Sequence, residues 1–155
     1  MSIHQQTQAK YIFESKYNSD LNNIQEDPYV VLITGAAGNI GYTISFMIGQ
    51  GRMFGHNRKI ILRLFDIPSR LNDLKGLNLE LEDCGFSIIK DINYTTNEEE
   101  AFLGIDFAIM CGSKPRIQGM KRHNLLKENS KIFEEQGKII NRVAKKSLKV
   151  LDIVK

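Results

Sequence analysis

The sequence predicts an α/β protein, a doubly wound parallel sheet of about five strands with helices on both faces. Three observations predict it. Apolar, β-branched runs alternate with stretches that repeat at helical spacing. The first of these runs ends at a glycine-rich turn that opens a helix. The second ends at an acidic residue, Asp66. Strand–helix alternation of this kind favours right-handed crossovers between parallel neighbours.

Tyr29–Thr34 (YVVLIT) is a continuous apolar run ending at Gly35, the pattern of a strand buried on both faces. A helix follows over 40–48, with Ile44, Met47 and Ile48 on one face. A polar, glycine-rich loop runs from 49 to 58. Residues 59–66 (KIILRLFD) form the second strand, and residues 70–83 the second helix. Leu71, Leu74, Leu77 (or Asn78) and Leu81 make that helix's apolar stripe. A short strand falls near 91–95, a short helix near 98–102, and a strong strand at 105–111. A loop over 112–121 leads into the longest helix, about 122–145. Its stripe is Leu125/Leu126, Ile132/Phe133, Ile139/Ile140 and Val143/Ala144. A last strand is expected at 148–154. Residues 1–27 are polar and read as an extension, partly disordered or weakly helical around Tyr11–Tyr17. The Asp27-Pro28 step marks its boundary with a single domain over 28–155.

Composition narrows the function classes. The 155 residues are 42% apolar and 25% charged, as in an ordinary globular domain. The net charge is only +3, and the basic residues are dispersed, so neither nucleic acid nor membrane is the expected partner. No apolar run is long enough to cross a bilayer. Residues 1–27 hold Glu14, Asp20, Glu26 and Asp27 but no Arg, unlike a transit peptide. The expected location is cytoplasmic. Cys84 and Cys111 sit in apolar runs and read as two buried thiols of a reducing compartment. His4, His56 and His123 are too far apart to suggest a metal site.

Chemistry concentrates at the first turn. Gly35-Ala36-Ala37-Gly38-Asn39-Ile40-Gly41 joins a strand to a helix. A tight turn there needs a residue without Cβ, and a second bare position lets backbone approach a pyrophosphate. The helix N-terminus offers unpaired N–H groups to the anion. This is a Rossmann-type fingerprint in variant form, GxxGxxG rather than GxGxxG. A glycine-rich turn without a ligand is the plain alternative. Asp66 shifts the balance, because it ends the second strand 25 residues after Gly41. An acid there accepts hydrogen bonds from the adenine ribose and repels a 2′-phosphate, which favours NAD over NADP.

A third constellation is Gly112-Ser113-Lys-Pro-Arg116-Ile-Gln-Gly-Met-Lys-Arg122. With it the chain resembles the malate dehydrogenases of the cytosolic type. The segments that carry the resemblance are ITGAAGNIGY (33–42), RLFDI (63–67), LELEDC (79–84), CGSKPRIQGMKR (111–122) and KENSKIFEEQGK (127–138). Together they span about 29–150. The resemblance implies NAD bound by Gly35, Ala36, Ala37, Gly38, Asn39, Ile40 and Gly41, with Asp66 on the ribose. It adds Gly112, Ser113, Asn129 and Gln136 as cofactor contacts. Arg116 and Arg122 match two lid arginines that grip a dicarboxylate, malate or oxaloacetate. A planar guanidinium suits that task, since it binds a carboxylate bidentately. Two solvated arginines on a flexible loop are the alternative reading.

The sequence departs from the family in several places. Asn124 replaces an Asp, and Ile117 stands where an Arg is common. Lys114 and His123 add positive charge beside the lid, and His123 reads as an exposed helix residue. Asp152 interrupts an otherwise apolar strand. The family's catalytic His–Asp pair belongs to a catalytic domain beyond the fifth strand, so no catalytic residue is assigned here. These 155 residues are expected to be the NAD-binding half, truncated before that domain and inactive alone. The alternative is a non-catalytic structural or cofactor-binding subunit of a larger assembly. In either case a protein partner or a homo-oligomer is expected to cover the exposed faces. The resemblance points to a dimer through helices matching 40–50 and 70–83.

Overall fold

A computed structural model describes residues 27–114 and 118–153. The elements in order are β1 (Tyr29–Thr34), α1 (Asn39–Gly49), β2 (Ile60–Phe65), α2 (Leu71–Asp83), β3 (Ile89–Thr95), α3 (Glu98–Phe102), β4 (Phe107–Met110), α4 (Arg122–Val143) and β5 (Lys149–Asp152). One sheet holds all five strands in the order β3-β2-β1-β4-β5, and every pairing is parallel. The chain therefore starts in the middle, builds outward through β2 and β3, then crosses back to build β4 and β5. That reversal leaves a crevice at the carboxyl ends of β1 and β4, where ligands of such sheets bind.

Strand alternation explains the two layers. Val31 and Ile33 point to one face, where they join Leu62, Leu64, Ile48, Leu74, Leu77 and Leu81 in one core. That layer carries α1 and α2. Leu32 points to the other face and packs with Phe102, Ala108 and Met110, against Phe133, Ile139 and Ile140. That layer carries α3 and α4. β1 and β4 thus place apolar residues on both faces, whereas β2 carries Arg63, whose Nη1 donates to the carbonyls of Glu100, Ala101 and Leu103.

The edges differ from the centre. At one edge, β3 carries Lys90 and Asp91 outward, charges that discourage pairing with another chain. At the other edge, all four β5 residues are exposed, Val150 and Leu151 among them. Asp152 pairs in register with Met110, so its charge reaches solvent and not core.

Several expectations need adjusting. A 3₁₀ turn at Pro68–Arg70 precedes α2, because proline's fixed φ starts a turn at once. Leu71 consequently sits at the rim and is exposed, while Leu74, Leu77, Asn78 and Leu81 face the core. β4 is shorter than its apolar run: the Asp106 carboxylate accepts the Val30 N–H at 2.9 Å, closing the ladder's start with a side chain. α4 ends at Val143, since Ala144 already has extended backbone angles. The two cysteines are not both buried. Cys84 is exposed at the end of α2, and Cys111 is half-buried behind β4. The helix expected around Tyr11–Tyr17 lies outside the described residues.

Candidate functional site

The site begins where β1 ends. Gly35 turns the chain with φ +63°, and a Cβ there would also stand 2.7 Å from the Gly112 Cα. Both the turn and the close approach of the β4 loop thus require glycine. Gly41 lies on the first turn of α1. A Cβ at that position would meet the Gly35 carbonyl oxygen at 2.4 Å and the Ala36 Cα at 2.7 Å. Its bareness lets α1 start directly on the turn. Gly38 is the residue before α1 and supplies no side-chain cap, and the first turn holds no acid. The N–H groups at this helix end are left for an anion, with the helix dipole favouring negative charge.

The loop is held from three sides. Ala36 N–H donates to the Phe65 carbonyl at 3.1 Å, tying it to the end of β2. Ala37 N–H donates to Asp66 Oδ2 at 3.1 Å, and Ile67 N–H donates to Asp66 Oδ1 at 2.9 Å. From the β4 side, Gly112 N–H donates to Thr34 Oγ1 at 3.2 Å. Each Asp66 oxygen keeps a further lone pair, so the carboxylate can still accept a ribose hydroxyl.

The β4–α4 loop is fastened from beneath. Asn129, buried on α4, accepts the Lys114 N–H through Oδ1 at 2.9 Å. Lys114 Nζ also pairs with Glu128 at 3.0 Å. Ser113 is exposed beside it. Gln136 is buried one layer deeper. Its Nε2 reaches Glu98 at 3.5 Å, and its Oε1 has no partner. Arg122 opens α4 and is exposed, as are Lys121, His123 and Asn124. Cations at a helix N-terminus oppose the dipole, which makes them costly unless an anionic ligand joins them. Arg116 and Ile117 lie outside the described residues.

Two side chains at this site escaped the sequence reading. Thr34 is fully buried and holds the loop after β4. Arg70 donates from Nη2 to the Ala37 carbonyl at 2.7 Å and pairs through Nε with Asp73 at 3.0 Å. A basic residue four positions after the strand-end acid was the available signal, since one turn of helix returns it to the loop. Burial raises the Cys111 thiol above its ordinary range, with Asp152 adding to the effect.

A parallel sheet in this order, a glycine turn under a bare helix end and an acid clamped to that turn define a dinucleotide-binding α/β domain. The comparisons with known proteins agree. Residues 29–153 match the family model described as lactate/malate dehydrogenase, NAD binding domain. The chain belongs to that family, and NAD is the cofactor of this domain class. It is 49% identical over 124 residues to the cytoplasmic malate dehydrogenase of Taenia solium, covering 80% of this chain and 37% of that protein. The human cytoplasmic enzyme is 46% identical over 125 residues, covering 81% and 37%. Among solved structures, malate dehydrogenase from Naegleria fowleri superposes with a TM-score of 0.79 at 37% identity, covering 82% of this chain and 39% of that one. Trichomonas vaginalis lactate dehydrogenase in complex with NADH and oxamate gives 0.75 at 43%, covering 80% and 37%. The chain thus spans little more than a third of the relatives it matches. Among the described residues no helix is long and apolar enough to cross a membrane.

Proposed function

We propose that this chain is the NAD-binding half of a cytoplasmic malate dehydrogenase, serving hydride transfer between malate and oxaloacetate. The observation that carries the reading is Asp66, which ends β2 and takes the Ala37 N–H of the glycine loop at 3.1 Å. That contact sets a fixed carboxylate beside the helix end where a pyrophosphate is favoured. Bound NAD supplies the hydride acceptor. Gly35–Gly41 cradles its phosphates, and Asp66 accepts from the adenine ribose. Gly112, Ser113, Asn129 and Gln136 shape the wall opposite, with Asn129 fixing the loop backbone at Lys114.

Arg122, with Arg116, grips the substrate's carboxylates. The exposed, basic start of α4 supports this, since a carboxylate there would relieve the clash between Arg122 and the helix dipole. A general base from the rest of the enzyme completes the reaction, so these 155 residues alone give no turnover. The relatives named cytoplasmic support the location. Exposed Leu79, Leu126, Val150 and Leu151 support a protein partner or a second copy covering these faces. The same exposure would suit a non-catalytic subunit of a larger assembly.

Titration of the 155-residue chain with NADH tests the reading. Wild type should bind, and Asp66→Ala should bind more weakly. Equal binding by both, or binding by neither, overturns the assignment. Oxaloacetate-dependent NADH oxidation by this chain alone would refute the missing general base. The mass of the native protein separates the two roles: a mass near 17.7 kDa would favour the non-catalytic subunit.

A further inference from the structure

Arg70 bears on which dinucleotide this site accepts. The strand-end acid and Arg70 bind the same residue of the glycine loop from opposite sides. Asp66 takes the Ala37 N–H at 3.1 Å, and Arg70 Nη2 donates to the Ala37 carbonyl at 2.7 Å. The Pro68–Arg70 turn causes this, because it folds the chain back over the loop within four residues of Asp66. Arg70 pairs with Asp73 at 3.0 Å through Nε, and its side chain is 46% exposed.

A guanidinium has five N–H donors. Asp73 and the Ala37 carbonyl use two, and among the described residues Nη1 donates no hydrogen bond. The Asp73 pair orients the planar group, so less rotamer entropy is lost when another anion arrives. A brace for the glycine loop would explain the Ala37 bond alone. It does not call for a half-exposed cation with spare donors beside the carboxylate that receives the ribose. Asp66 by itself selects against a 2′-phosphate through like charge, while an arginine nearby accommodates one.

We infer that Arg70 lets this site take a dinucleotide with a 2′-phosphate on the adenosine ribose, as well as the unphosphorylated one. The inference rests on the dinucleotide reading above. Asp66 accepts the ribose hydroxyl of the one. Arg70 supplies a charge-assisted contact to the phosphate of the other.

The test is a titration of the full 155-residue chain with NADH and with NADPH at low salt. Each is repeated with Arg70→Gln and Arg70→Lys. Wild type should bind NADPH within about a hundredfold of NADH, and added salt should weaken NADPH more. Arg70→Gln keeps a donor for the Ala37 carbonyl but loses the charge. Its NADPH-to-NADH affinity ratio should fall about tenfold, the scale of one lost charge-assisted contact. Arg70→Lys should restore part of the ratio. The ratio is internal to each variant, so a general loosening of the loop cancels. A ratio unmoved by Arg70→Gln makes Arg70 a brace and overturns the inference. So does a wild type that binds NADH but not NADPH. Failure of wild type to bind either nucleotide overturns the underlying dinucleotide reading, and this inference with it.

Discussion

Asn129, buried on α4, accepts the backbone N–H of Lys114 through Oδ1 at 2.9 Å. One side chain thereby fixes the loop that leaves β4 beside the glycine turn. Asn129→Leu keeps the branched shape but leaves the Lys114 N–H without an acceptor. Such a loss costs about 1–3 kcal/mol where the group stays away from water. Thermal unfolding should shift down accordingly, and amide exchange at Lys114 should quicken more than exchange in β1. Unchanged exchange at Lys114 would contradict the fastening role.

Gly41 predicts a steric outcome. A methyl group there would meet the Gly35 carbonyl oxygen at 2.4 Å, with backbone on both sides and no flexible side chain to yield. Gly41→Ala should therefore destabilise the domain by about 1–3 kcal/mol, the range for overpacking. It should also weaken NADH binding, because relief requires α1 to move off the turn. Chemical denaturation and NADH titration check both effects.

Asp66 makes a charge-dependent prediction. Asp66→Asn keeps an acceptor oxygen but loses the charge that strengthens the bond to Ala37 N–H. A hydrogen bond to a charged group contributes about 1.5–3 kcal/mol, so NADH affinity should fall about tenfold or more. Calorimetric titration reads the change directly. An affinity equal to wild type would remove Asp66 from the ribose site.

The two cysteines should separate by reactivity. Cys84 is exposed, whereas Cys111 is half-buried with its thiol raised by burial and by Asp152. The thiolate is the reactive form, so a raised value leaves less of it at neutral pH. Alkylation near pH 7 should modify Cys84 first, and Cys84→Ser should abolish the fast phase. Cys111 should gain reactivity only as the pH climbs past the ordinary thiol range. A fast phase that survives in Cys84→Ser would refute the ranking.

Tyr42 gives a pH dependence. Its hydroxyl donates to Glu80 across α1 and α2, and that bond holds the phenol above its ordinary value. A folded value above the unfolded one favours the protonated form in the native state. The stabilisation is therefore complete below the unfolded tyrosine value and fades as pH rises through the folded one. Tyr42→Phe should remove one phenol that titrates above the ordinary tyrosine value from a spectrophotometric titration.

The sequence alone determined the layers of this protein and the position of its cofactor turn. Unbroken apolar runs such as Tyr29–Thr34 admit only burial on both faces, and helical stripes such as Leu74, Leu77 and Leu81 must cover them. The spacing of Gly35, Gly38 and Gly41 reported a backbone requirement, which is local and hence legible. Asp66 was legible for the same reason, as the polar end of an apolar strand.

Only the tertiary structure decided what those residues touch. Thr34 binds Gly112, 78 positions away, and Asn129 binds Lys114 across a loop. Arg70 reaches Ala37, 33 positions back along the chain. Exposure behaved likewise: Cys84 looked apolar in its run but lies just past α2, and all four residues of β5, at the sheet's edge, are exposed. Local pattern encodes backbone conformation through sterics and periodicity. Side-chain partners depend on which distant segments the sheet order brings together, and no single stretch of sequence carries that information.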